Sequence, residues 1–227
     1  MDIPANPTDE QLDQLNQKQE FVRDALPAEW LSYAEELHDA AEALWAARGE
    51  SMCLKMRTLL GGAVRVERKT GHERSYILLA SLALENALKA LLVSADPSLI
   101  NSGALARCLR NHKLMGLADR VSGLRLSSEE NRVLHICQDA IPYWGRYPVP
   151  LTYDGVHPEE AATSGFRDAF RRLHFRLCQR VYSEIKHGWD SGVGPKTLEF
   201  RSLRYGDKID TKKPFPWLQR DAGCHGS

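Results

Sequence analysis

Long apolar runs are missing from this chain: nowhere in its 227 residues does an uninterrupted stretch approach the roughly 18 apolar residues a membrane span needs. The opening, MDIPANPTDE, has neither the basic start nor the apolar centre of a secretory leader, so a cytoplasmic protein with no membrane partner is expected. Cysteine is sparse. Cys53, Cys108, Cys137, Cys178 and Cys224 are odd in number, widely spread and without a C-x-x-C pair. That pattern argues against a disulfide framework and a zinc site, and predicts reduced thiols, several of them core fillers. A phosphate-cradling glycine loop, G-x-S-x-G, H-E-x-x-H and clustered carboxylates are also absent, so no cofactor and no metal is expected. Nor are there internal repeats or low-complexity runs.

Net charge is the next thing lacking, since 30 basic residues balance 30 acidic ones. The balance conceals an asymmetry. Residues 1–50 hold twelve acidic and three basic side chains, leaving the remaining 177 with a surplus of nine positive charges. The first part repels nucleic acid and the second attracts it, unless these charges form an ordinary solvated surface.

What the sequence has is apolar periodicity. With 43% hydrophobic residues it can build one domain with tails: a polar segment over 1–26, a helical bundle over 27–190 and an extension over 191–227. A peripheral helix over 8–24 is expected within the otherwise frayed first segment. PAEWLSYAEELHDAAEALWAARGE sets Trp30, Leu31, Ala34, Leu37, Ala41, Leu44 and Trp45 at helical spacing between Pro27 and Gly49, predicting a helix over 28–48. Residues 49–74 hold Gly61, Gly62 and Gly71 among basic residues and give no firm assignment beyond a short element at 52–60.

SYILLASLALENALKALLVSAD is apolar on nearly every side and stops at Asp96-Pro97, which places it at the centre of a bundle. Its polar residues are Glu85, Asn86 and Lys89, with Glu85 four before Lys89, the favourable order for a helical ion pair. Buried polar residues of this kind serve as structural pegs more often than as catalysts. LARCLRNHKLMGLADRV reads as a third helix, and LSSEENRVLHICQDAI as a fourth, with Ser127 and Glu130 at capping-box spacing. PYWGRYPVPLTYDGVHPEE is a rigid extended loop that packs Trp144 and Tyr147 as an aromatic lid or presents them for base stacking. A last helix runs from Pro158 to Gly188, and KTLEFRSLRYG beyond it suggests a strand or two.

In that last helix Phe166, Phe170, Leu173, Leu177, Val181 and Ile185 form one apolar stripe. Arg180 and His187 lie about 20° apart on the helical wheel, at the edge of the stripe, which suits a cleft, a subunit interface or an arginine covering apolar surface. Arg167, Arg171, Arg172, Arg176, Arg180 and Lys186 outnumber Asp168 and Glu184, so Arg171, Arg172, Arg176 and Lys186 are candidate RNA contacts. Glu184 is also spaced to neutralise both Arg180 and His187.

These segments resemble the HEPN superfamily, all-helical domains of which many are RNases. LALENALKALLV followed by NHKLMGL is similar to the family's E-x-x-x-K helix and later H-x-L element, and RVYSEIKHG is similar to its arginine, four to six residues, then histidine near the end of a late helix. Together they cover about 75–188. Arginine–histidine pairs at that spacing occur five times: Arg65–His72, Arg107–His112, Arg167–His174, Arg180–His187 and Arg220–His225. Helical context therefore selects Arg180 and His187 as the catalytic candidates, with Glu184 beside them and Arg107 with His112 as a second choice. Val181 stands where active members often carry a polar residue.

The resemblance implies a homodimer that acts on RNA without a metal, by attack of a ribose 2′-OH on the adjacent phosphate in a two-fold cleft. The alternative it leaves is a silent module that binds a cognate regulatory protein or a nucleic acid within a defence or toxin–antitoxin system.

Overall fold

The computed structural model describes residues 8–49, 52–58, 61–142, 145–146 and 162–207. Thr8 opens the first helix, α1 (Asp9–Asp24), with a reciprocal capping box to Gln11, in agreement with the expected peripheral helix. α1 is polar except near its end, where Val22, Ala25 and Leu26 are buried and tie it to the bundle. Pro27 starts α2 (Pro27–Ala47), which turns Leu31, Ala34, Leu37, Ala41 and Trp45 inward.

β1 (Met52–Thr58) and β2 (Val64–Thr70) then form an antiparallel hairpin with Met56 opposite Val66 and Thr58 opposite Val64. The sequence predicts only a short element at 52–60, which is β1. Gly61 and Gly62, both at positive φ, let the chain reverse without steric cost. His72, the one non-glycine residue at positive φ among those described, leads into α3.

α3 (Glu73–Ala95) is the central helix, buried on almost every side. It packs against α2, against α5 (Ser128–Ala140) and against α6 (Ser164–Ile185). It is also long and apolar enough to cross a membrane by length and composition, and most of that stretch is buried by the other helices. The molecule is thus an all-α bundle with irregular extensions, as expected, and five long helices lie among the described residues.

Residues 105–121 depart from the single helix predicted. A 3-10 turn at Arg107–Arg110 is followed by an extended link and then by the one-turn α4 (Leu114–Ala118). Asn111 supplies the reason: its Nδ2 donates to Cys108 O at 3.0 Å and its Oδ1 accepts from Lys113 N at 3.1 Å, bonds that replace helical ones.

α6 also begins later than predicted. Ala162 is not helical, and the Thr163 side chain accepts from Phe166 N at 3.1 Å, so the cap sets the start at Ser164 rather than Pro158. The apolar stripe is as expected, with Phe166, Phe170, Leu173, Leu177, Val181 and Ile185 all buried. Gly188 at φ 110° turns the chain back, and a Cβ there would lie 2.9 Å from Leu198 O. Beyond it, β3 (Trp189–Asp190) pairs with β4 (Lys196–Thr197), and a 3-10 turn at Leu203–Tyr205 lies against α2 through Arg204 and Asp39 and against α6 through the Tyr205 and Tyr182 rings. Cys137 and Cys178 are buried free thiols and Cys108 is half-buried. Trp144, Tyr147, Pro158 and Cys224 lie outside the described residues.

Candidate functional site

Three separated parts of the sequence converge on Glu85. Its carboxylate is 4% exposed in the middle of α3 and accepts from Lys89 Nζ, one turn on, at 2.6 Å. Lys89 is equally buried and lies 5.5 Å from the centre of the Trp30 ring of α2. Across the site, His112 Nδ1 lies 2.9 and 3.1 Å from the two carboxylate oxygens. A carboxylate accepts, so Nδ1 is the donor in this contact and Nε2 is the ring nitrogen left outside it.

The link that carries His112 is held at both ends. Leu109 and Leu114 are fully buried on either side, and Arg110 Nε donates to Leu105 O at 2.7 Å. Because the side chain is still 47% exposed, a buried carboxylate orients an imidazole that remains accessible to solvent. That is an arrangement for proton transfer. Arg107 is exposed on the turn just before it and forms no ion pair with a described residue. Hence the second sequence choice, Arg107 and His112, comes with an orienting group that spacing did not reveal.

Arg180 and His187 are not brought together. Arg180 Nε donates to Glu184 Oε1 at 3.2 Å, and Glu184 Oε2 accepts from Ser94 Oγ at the end of α3. Glu184 therefore neutralises Arg180, and no hydrogen bond or ion pair joins it to His187. His187 is exposed in the turn after α6, beyond the helix end. Val181, between them in sequence, is fully buried against the core.

The basic face of α6 is paired with carboxylates of its neighbours. Arg167 chelates Glu42 of α2, and Arg171 reaches the same carboxylate at only 3.8 Å. Arg172 meets Glu129 at 2.7 Å, while Arg176 donates to both oxygens of Glu130 at 2.8 Å and to Arg125 O at 2.9 Å. Lys186 caps the helix, its N–H donating to Tyr182 O at 2.9 Å. Of the other spaced pairs, His174 is buried with Nε2 3.1 Å from Ala34 O, and His72 is exposed ahead of α3.

A cavity of about 530 Å³ opens between α2, α6 and the Leu203–Tyr205 turn. At its base His38 stacks on His174 with ring centres 4.4 Å apart. Burial, and then the neighbouring His38, push the His174 pKa down to about 3, so it is neutral. Sequence reasoning passed over His38 and Arg204 because they lie 166 residues apart. The chain matches no family model, and no curated protein or solved structure matches it significantly.

Proposed function

We propose that this protein is a HEPN-like endoribonuclease that cleaves RNA without a metal, with its reactive centre at His112. In this reading His112 Nε2 takes the proton from a ribose 2′-OH as that oxygen attacks the adjacent phosphate. Glu85 positions the ring and balances the imidazolium that forms, and Arg107 supplies positive charge for the phosphorane. A second copy of the chain completes the cleft and supplies the acid for the leaving oxygen. The observation that carries the reading is the buried Glu85 carboxylate holding an exposed imidazole by Nδ1.

A second reading, a silent binding module, is favoured by a different observation: every arginine of α6 already faces a carboxylate. Cleavage of end-labelled RNA in EDTA separates the two. Wild-type protein is expected to cut, His112→Ala to lose about 10²–10⁴-fold and Glu85→Gln to fall part of the way, while His187→Ala retains activity. Loss in Arg180→Ala and His187→Ala with His112→Ala intact would return the site to the end of α6. No cleavage by any folded protein would leave the binding module as the answer.

A further inference from the structure

We infer that the cavity between α2, α6 and the Leu203–Tyr205 turn is a binding site for a small aromatic phosphomonoester. The inference does not rest on RNA cleavage, and the cavity shares no residue with the Glu85–His112 site. Its volume of about 530 Å³ falls within the range of small-molecule sites.

The anion-binding end follows from an imbalance between guanidinium groups and carboxylates. Glu42 has two arginines to serve, and Arg167 takes it with Nε at 3.0 and 3.2 Å. Arg171 is left at 3.8 Å, beyond hydrogen-bonding distance, with half its side chain exposed at the cavity wall. Among the described residues, it is the guanidinium of that wall whose donors have no acceptor within hydrogen-bonding distance. Its neighbour Arg172 is held by Glu129 through a pair whose two side chains are both more than half exposed. Such pairs contribute about 0–1 kcal/mol and exchange readily for a better acceptor. A phosphate dianion offers the geometry both forks match, and it prefers arginine to solvent more strongly than an exposed carboxylate does. Arg204, by contrast, is committed: its NH2 donates to both oxygens of Asp39 at 2.7 Å.

The organic end follows from the aromatic wall. Phe175 lies one turn beyond Arg171 and Arg172 and is 47% exposed, an unusual exposure for a phenylalanine on a packed helix. The Tyr205 ring is 6.1 Å away. It cannot swing aside, because it stacks on Tyr182 at 4.8 Å and its hydroxyl donates to Glu35. The stacked His38 and His174 complete a flat base. A planar ring can stack on the exposed face of Phe175, while its phosphate reaches Arg171. Asp168, one turn before Arg171 and Arg172, also lines the cavity and opposes an anion. That opposition gives the site a second, opposite-signed test.

The probe is 1-naphthyl phosphate, titrated calorimetrically into the full-length chain, with inorganic phosphate and 1-naphthol as its two halves. Naphthyl phosphate is expected to bind at least tenfold tighter than either half. Arg171→Gln should weaken it tenfold or more, Asp168→Asn should tighten it several-fold, and Arg120→Gln, at an exposed residue outside the cavity lining, should leave it unchanged. Thermal melting of each variant establishes that the fold is retained. Absence of binding overturns the inference, as does equal affinity in wild type, Arg171→Gln and Asp168→Asn.

Discussion

Tyr76 carries its hydroxyl into the centre of the bundle, where it finds no hydrogen-bond partner among the described residues. Its ring is well used, packing 5.1 Å from Trp45 and edge-on to Phe166 and Phe170. Burial pushes the hydroxyl pKa up, so the group stays neutral and costs only its lost hydration. Tyr76→Phe keeps the packing and removes the orphan, so it is expected to leave stability unchanged or raise it by about 1 kcal/mol in chemical denaturation. A clear loss would mean the hydroxyl has a partner.

His174 is the buried polar residue with the opposite sensitivity. Its folded pKa, near 3, lies below the ordinary 6.5, so the unfolded chain takes up a proton between those values and the folded chain does not. The stability this imidazole permits is complete above about pH 6.5 and is lost as pH falls toward 3, by a few kcal/mol in order of magnitude. His174→Leu should therefore flatten the fall in denaturation midpoint between pH 6.5 and 4. An unchanged slope would assign acid sensitivity to the carboxylates instead.

Among the elements, α3 and α6 were the most legible in sequence, because long apolar runs and a 3.6-residue stripe survive any detail of packing. The order of Glu85 before Lys89 also disclosed their ion pair. Their third partner was hidden: His112 lies 27 residues away, on a link that periodicity presented as helix. The sequence signal against that helix was Asn111, whose side chain bonds to its own backbone. The hairpin was hidden for another reason. VRVERKT alternates and Gly61-Gly62 marks a reversal, but Met56, Val64 and Val66, which share one face, are exposed, so that face adds no burial to strengthen the pattern.

The energetics of the Glu85–Lys89 pair belong to this scale too. Lys89→Met leaves the buried Glu85 carboxylate with His112 as its one described side-chain partner, so it is expected to cost up to about 3–5 kcal/mol. Glu85→Leu combined with Lys89→Met should cost less than Lys89→Met alone, and a double-mutant cycle in urea measures the difference. A single Lys89→Met loss below about 1 kcal/mol would mean the pair is open to water.

Across the whole molecule, folding folds the charge asymmetry back on itself. The acidic first fifty residues supply Glu35, Asp39 and Glu42, and the basic remainder answers with Arg167, Arg171 and Arg204 and the hydroxyl of Tyr205. α5 repeats the arrangement with Glu129 and Glu130 at its first turn, where they also suit the helix dipole, against Arg172 and Arg176. The arginines of α6, read along the chain as a basic surplus, thus each face a carboxylate in the folded structure.

Under the proposed function, phosphates should be met by cations without such partners, and ionic strength can count them. Each phosphate contact on single-stranded RNA adds about 0.7 to the slope of log affinity against log salt concentration. Arg107→Gln is therefore expected to reduce that slope by about 0.7. Arg176→Gln, which removes a guanidinium already held by Glu130 and Arg125 O, should leave the slope unchanged while lowering stability by about 1 kcal/mol. Filter binding between 50 and 200 mM salt, roughly the range over which counterion release is read, makes the comparison. A slope that falls with Arg176→Gln and not with Arg107→Gln would move the RNA to the face of α6, with those ion pairs opening as it binds.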